Sequence, residues 1–376
     1  MIDDKWINET WEKIEKKLSR VAVSAREKLP YTTVEGVYDN KYEKEARAWT
    51  NGFWPGMMWL MYDATKNPEY RKTAERAEEL LDKALYEEVE KLDHDVGFMW
   101  HLSSGANYRL TGNKKSFIRN FCAANLLAGR YNIKGGYIRA WNFKWAGRED
   151  TTGWAIIDCM MNLPLLYWAS QETGDPRFKN IAMNHADKTL KYHVREDGSV
   201  NHIVQYDPET GEFIQSHTGQ GFEPTSSWSR GQSWALYGYT LSYIHTKEER
   251  YLNTAKKVAN YFIAAVCDDW LPKCDFRSPK DPVIYDASAG LIAANGLIEL
   301  SRVVPEHEKD MYYKAALNLI EAITNHFADW SDDTDAIITN ATEAYHFGQK
   351  HIPLIYADFY FVEAMNKLKG FNTFLW

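Results

Sequence analysis

Hydrophobic positions along the chain recur with a helical period, and they do so in pairs. A segment that is apolar nearly all round is followed by a short turn and then by a charged segment with one apolar face. FWPGMMWLMYDATKN leads into PEYRKTAERAEELLDKAL, and GFMWHLSSGANYRLTGN into KKSFIRNFCAANLLAGRY. MMNLPLLYWASQETGD leads into PRFKNIAMNHADKTLKYH, RGQSWALYGYTLSYIHTKE into ERYLNTAKKVANYFIAAV, and ASAGLIAANGLIELSRVVPE into HEKDMYYKAALNLIEAITNHF. The two ends supply a sixth pair, a helix over 5–26 beside one over 355–369.

Segments that are apolar on every side belong inside, and amphipathic ones belong around them. Six such pairs closed on themselves predict an all-α fold, an (α/α)6 barrel, with residues 1–376 forming a single domain. The alternative is an open helical solenoid, but such arrays repeat at near-constant length, and the spacing here is uneven. Extra residues fall at 129–156, 194–227, 268–286 and 330–352. Within the second of these, VNHIVQYDPETGEFIQS reads as a small β-hairpin turning at Asp207-Pro208. Long loops gathered at one end of a helical ring commonly build a binding site.

Composition narrows the possibilities. The 376 residues carry a net charge of −8, so a nucleic-acid partner, which asks for a basic stripe, is not expected. No run of 18 apolar residues is present, so no membrane span is expected. The N-terminus, MIDDKWINETWEKIEKKL, has acids and no apolar core, which argues against a signal peptide. Cys122, Cys159, Cys267 and Cys274 lack CxxC spacing and read as free thiols in a reducing, cytoplasmic compartment. Aromatic residues reach 14%, with 15 Trp and 23 Tyr. Flat aromatic faces either fill a wide helical core or stack on sugar rings.

Two carboxylates stand in unusual places. In LDHDVGFMWHLS, Asp95 precedes a buried aromatic run, where it is either a cap favoured by the helix dipole or a working group. In TTGWAIIDCMMNLPLLYW, Asp158 lies among Ile157, Cys159, Met160 and Met161 with no cation within a helical turn. A carboxylate in apolar surroundings has its pKa raised and suits a general acid. The expectation is that Asp158 holds a proton while Asp95, at a helix start, stays ionised. Two carboxylates opening neighbouring inner helices are placed as a glycoside-cleaving pair would be.

Polar and aromatic residues cluster in the same connections. HTGQGFEPTSSWSRGQSW supplies His217, Gln220, Trp228, Arg230, Gln232 and Trp234; ARAWTNGFW supplies Trp49 and Asn51; GGYIRAWNF supplies Arg139 and Trp141; VNHIVQY supplies His202. Arg230 either pairs with a protein acid or holds a substrate carboxylate. The histidines have no HxxxH or HExxH spacing, so no metal is expected, and most read as satisfied core or surface residues. GxSxG, GxGxxG and GxxxxGKS are absent, which disfavours esterases, dinucleotide enzymes and kinases.

HDVGF at 94–98, WAIIDCMMNLPLLYWA at 154–169 and the stretch from HTGQG to SSWSRGQSWALYGY at 217–239 resemble the unsaturated glucuronyl hydrolases, glycoside hydrolase family 88. WTNGFWPG, YDPETG and IYADFYFVEAM are similar as well, and the resemblance runs in order from about residue 45 to 366. It implies an (α/α)6 barrel without metal or organic cofactor. The implied substrate is an oligosaccharide bearing the Δ4,5-unsaturated uronic acid that lyases leave on glycosaminoglycan fragments. By motif, Asp158 corresponds to the acid/base and Asp95 to the second essential carboxylate. His202, Gln220, Arg230 and Trp234 fall on pocket positions, with Trp49 and Trp141 as stacking walls. Asn51 departs from the family's usual acid in W-T-D-G-F-W, so no role is carried onto it. In ATEAYHFGQKHIP, Gln349, Lys350 and His351 either meet a sulfate on the adjoining sugar or lie in a solvated loop. Two other readings stay open: an unsaturated rhamnogalacturonyl hydrolase of family 105, and a non-catalytic sugar-binding toroid.

Overall fold

The computed structural model describes residues 2–142, 150–371 and 373–376. Twelve helical elements follow the predicted pairs. The first, α1 (Asp4–Ser24), starts at Asp3, whose side chain accepts the Trp6 N–H. Five hairpins follow: α2 (Phe53–Thr65) and α3 (Pro68–Glu87); α4 (π-helical over Gly97–Gly105, then α-helical over Ala106–Thr111) and α5 (Lys114–Gly129); α6 (Leu163–Thr173) and α7 (Pro176–Tyr192); α8 (Ser229–Thr246) and α9 (Glu249–Val266); α10 (Ala287–Val303) and α11 (Glu306–Phe327). The last inner helix is α12 (Ile355–Leu368).

The first four hairpins turn by one device. Each inner helix ends on a left-handed residue, Lys66, Gly112, Gly174 or Lys247, and the next residue begins the outer helix. In three of them that residue is Asn67, Asn113 or Asp175, whose side chain accepts a backbone N–H of the first turn. The inner helices α2, α4, α6, α8, α10 and α12 touch in sequence, and α12 returns to α2, so the ring is closed and the solenoid alternative falls away. Helix α1 completes the outer ring against α3 and α12. Ser229 to Ser242, Ala287 to Ser301 and Ile355 to Lys367 are buried on every side, as inner helices require, whereas the outer helices bury one face.

The loop before α12 is tied down by charge. Lys17 Nζ of α1 donates to the carbonyls of Asp329, Thr334 and Ala336 at 2.8–2.9 Å. Buried Asp358 accepts the N–H groups of Ile337 (3.1 Å) and Ile338 (2.7 Å) and the Tyr38 hydroxyl. Among the described residues, no helix is long and apolar enough to cross a membrane.

The expected hairpin is present as Ile203–Tyr206 and Phe213–His217, pairing Ile203 with His217. Trp154–Ile156 adds a third antiparallel strand, pairing Ile156 with Ile203. This addition is functional: it places the residues just before Asp158 beside those that carry His202. Residues 143–149 of the 129–156 connection, including the Phe of GGYIRAWNF, lie outside the described residues.

Candidate active site

The loops at one end of the ring enclose a cavity of about 350 Å³, which Asp95 and Asp158 both line. That volume is in the range of small-molecule sites. Asp158 sits in a short 3-10 turn, Ile157–Met161, that precedes α6. Ile157, Cys159, Met160 and Met161 point into the core, and the Asp158 side chain is turned to the cavity, 15% exposed. Its apolar sequence neighbours are therefore not its surroundings. Its partner comes from far along the chain: His202 Nε2 stands 3.5 Å from Asp158 Oδ1. His202 Nδ1 accepts the Gln220 N–H at 3.0 Å, so in the neutral ring the proton is on Nε2.

Asp95 stands two residues before the π-helical turns, and its side chain is 13% exposed. The cap reading fails, because the Phe98 N–H donates at 2.9 Å to Asn162 Oδ1 instead. Asn162 Nδ2 in turn donates to Asp95 Oδ1 (3.2 Å) and to the Asp158 carbonyl (3.4 Å), so one amide joins both acidic segments. Burial, followed by the nearby Asp93 and Asp158 carboxylates, pushes the Asp95 carboxyl well above the usual range, and the Asn162 hydrogen bond only partly opposes this. This runs against the expectation that Asp95, at a helix start, stays readily ionised. With no helix N–H on it, the buried Asp95 carboxyl is costly to ionise.

His94 lies behind Asp95 and is buried. Its Nδ1 meets the Ala140 carbonyl at 2.9 Å, and its Nε2 stands 3.3 Å from Asp95 Oδ1. Burial lowers its pKa. Asp93, His94 and Asp95 also bring one metal-ligating atom each within 4.8 Å of one another, a closeness that histidine spacing did not signal.

The other expected residues divide between wall and support. Trp49 and Trp141 line the cavity. Trp49 leans on Tyr356 with ring centroids 5.1 Å apart, and Trp141 meets His94 edge-on at 5.8 Å. Gln220 lines it too, its Nε2 donating at 2.8 Å to the Glu343 carbonyl. Trp234 is a correction: it is fully buried behind Phe98 (5.3 Å), below the cavity wall, because α8 turns that position to the ring interior. His202 also stands off the wall, lining a small crevice beside it and reaching the site through Asp158.

Arg230 takes the protein-acid alternative. Its guanidinium, 1% exposed, pairs with fully buried Asp286 at 2.5 Å and donates to the carbonyls of Thr342 (2.7 Å) and Glu343 (2.6 Å). It stacks over Trp228 and Tyr356 and presents only an edge to the cavity, so it stitches the 341–353 loop to α8 and α10. Asn51 is buried away from the cavity, and its amide holds the carbonyls of Glu45 (3.2 Å) and Ala46 (3.0 Å). Gln349, Lys350 and His351 are exposed, and the loop reaches the cavity through Phe347 and Glu343. At the mouth, Lys41 and Arg47 both pair with Glu45 at 3.2 Å.

Asn162 and His94 are the residues that sequence reasoning missed. Asn162 stands directly before Leu163-Pro164, a polar residue at an inner-helix start, and that position was the available signal.

Comparison with known proteins follows the same lines. The profile of Glycosyl Hydrolase Family 88 matches residues 22–375. The unsaturated glucuronyl hydrolase of Bacillus sp. (strain GL1) is 35% identical over 345 residues, covering 90% of each chain. The unsaturated chondroitin disaccharide hydrolase of Streptococcus pneumoniae is 33% identical over 346 residues, covering 90% of this chain and 86% of its own. A solved unsaturated glucuronyl hydrolase specific for heparin superposes with a TM-score of 0.88 at 31% identity, covering 99% of this chain and 100% of its own.

Proposed function

The chain belongs to glycosyl hydrolase family 88 and is a glycosidase, and from that premise we propose that it releases the Δ4,5-unsaturated uronic acid from the non-reducing end of lyase-generated glycosaminoglycan oligosaccharides. The observation that carries the reading is the pair of aspartates on one cavity, joined by Asn162, with His94 beside one and His202 beside the other. The family match supports neither the rhamnogalacturonyl alternative nor the non-catalytic toroid. The proposal includes the whole chain as one (α/α)6 domain. It also includes a cytoplasmic setting, which the four unpaired cysteines support.

The chemistry follows from the substrate. An unsaturated uronate is a vinyl ether: the ring oxygen donates into C4=C5, so C4 is the basic atom. Asp95 is costly to ionise in its buried setting. Entry of a substrate carboxylate near Asp158 disfavours a second anion there and draws a proton onto Asp158, from its partner or from water. Asp158 then delivers that proton to C4, and the cation shared by C5 and the ring oxygen is stabilised by the remaining carboxylate charge. Water adds to C5 and loses its proton to Asp158, and the hemiketal opens and expels the aglycone from C1. Trp49 and Trp141 supply flat walls for the sugar rings.

The test is a panel of unsaturated chondroitin, hyaluronan and heparin disaccharides, with an unsaturated rhamnogalacturonan disaccharide as control, followed by loss of the alkene absorbance. Turnover confined to the glycosaminoglycan substrates is expected. Turnover of the pectin fragment alone would overturn the assignment.

A further inference from the structure

Besides buried Arg230, the lysine and arginine side chains that line the cavity among the described residues are Lys41 and Arg47. Both come from the connection between α1 and α2, and one carboxylate engages both. Lys41 Nζ stands 3.2 Å from Glu45 Oε2, and Arg47 Nη2 stands 3.2 Å from Glu45 Oε1, so each oxygen faces a different cation. The side chains of Lys41, Glu45 and Arg47 are 31%, 36% and 28% exposed, against 13% for Asp95 and 15% for Asp158. The triad therefore forms the rim and the two aspartates the floor. Its backbone is held in place. The Glu45 N–H donates to the Lys41 carbonyl at 2.9 Å, closing a single helical turn over Lys41–Lys44, and the Glu45 carbonyl accepts the Ala48 N–H at 3.1 Å and the buried Asn51 amide at 3.2 Å. Lys41 Nζ also lies 5.3 Å from the centre of the Tyr31 ring, a cation–π contact that fixes its direction.

A carboxylate with a different cation on each oxygen occupies the position that an anionic group of a ligand would take. A glycosidase that removes the non-reducing-end sugar sets that ring over the floor carboxylates and directs the next sugar to the mouth, past this triad. We propose that Glu45 is a specificity-determining residue: its carboxylate fills the rim's cation clamp from within, so that the site favours a second sugar with no anionic group at the rim. The proposal rests on the hydrolase reading above. A sulfate that reaches the rim either displaces Glu45 from both cations or lies beside it as a like charge, and each course weakens binding. A hydroxyl or acetamido group leaves the triad intact.

The test compares kcat/KM on unsulfated, 4-sulfated and 6-sulfated unsaturated chondroitin disaccharides for the wild type, Glu45→Gln and Lys41→Gln/Glu45→Gln. Glutamine keeps the length of the side chain and removes its charge. In Glu45→Gln, the ratio of sulfated to unsulfated kcat/KM should rise about three- to tenfold for at least one sulfated isomer, the worth of two partly exposed ion pairs. The gain should come through KM and shrink with added salt. Removing Lys41 as well should take part of it back. A ratio unchanged or lowered for both sulfated isomers would overturn the proposal, as would a gain that the loss of Lys41 leaves untouched. A wild type that turned over none of the three disaccharides would end the hydrolase reading, whereas turnover with an unmoved ratio in Glu45→Gln would end this proposal alone.

Discussion

Replacing Arg230 with Met separates its two possible roles. The guanidinium is buried against Asp286 and donates to the Thr342 and Glu343 carbonyls. Methionine preserves much of the apolar stem and leaves Asp286 buried without its cation. Breaking a buried pair in this way costs about 3–5 kcal/mol. Asp286 keeps its bonds from Ser288, which places the loss toward the lower end. An unfolding entropy of about 2.1 cal/mol/K per residue over 376 residues gives roughly 0.8 kcal/mol/K. The melting temperature should therefore fall by about 4–6 °C. Arg230→Met/Asp286→Leu, which removes both charges, should recover a large part of that fall. Differential scanning calorimetry reads the melt, and kcat/KM on an unsaturated disaccharide reads the site. If Arg230→Met melted with the wild type and lost only affinity for substrate, the guanidinium would be a ligand for the uronate carboxylate and the structural account of it would be wrong.

Two further outcomes follow from buried groups. Asn162→Ala removes the donor shared by Asp95 and the Asp158 segment and orphans the Phe98 N–H. It should lower kcat/KM about 10- to 100-fold, the effect of 1–3 kcal/mol, and unchanged kinetics would dismiss the amide as packing. Burial raises Asp358 to about 6, against the hydrogen bonds from Tyr38, Ile338 and Ile337. A raised folded value means its contribution to stability is full below about pH 4 and is lost as pH rises through about 6, a change on the order of 3 kcal/mol. Asp358→Asn does not titrate, so the stability difference between wild type and variant should change by that amount between pH 4 and 7 in urea melts. A difference constant with pH would contradict the assignment.

The parts of the molecule visible in sequence are those set by local period. All-round apolar segments beside one-faced ones gave both rings, because burial on every side or on one side is written within each helix. The polar breaks at Asn67-Pro68, Asn113 and Asp175-Pro176 marked the hairpin turns for the same reason. The two aspartates stood out against apolar neighbours, but their protonation could not be read from those neighbours. In the 3-10 turn, Ile157 and Cys159 face the core while Asp158 faces His202, 44 residues away. Asp95 is held by Asn162, 67 residues distant. Trp234 and Arg230 show the same limit. Residue type allowed a sugar wall or a carboxylate clamp, and the rotation of α8, with Asp286 as the N-cap of α10, decided for the interior.

The central claim is that C4 of the unsaturated uronate is protonated before the glycosidic bond opens. It is tested most directly by turnover of an unsaturated disaccharide in D2O, with NMR and alkene absorbance followed together. The account predicts one deuteron on C4 per turnover, alkene loss no slower than aglycone release, and neither event in Asp158→Asn. Aglycone appearing ahead of alkene loss, with the released sugar still unsaturated, would contradict it.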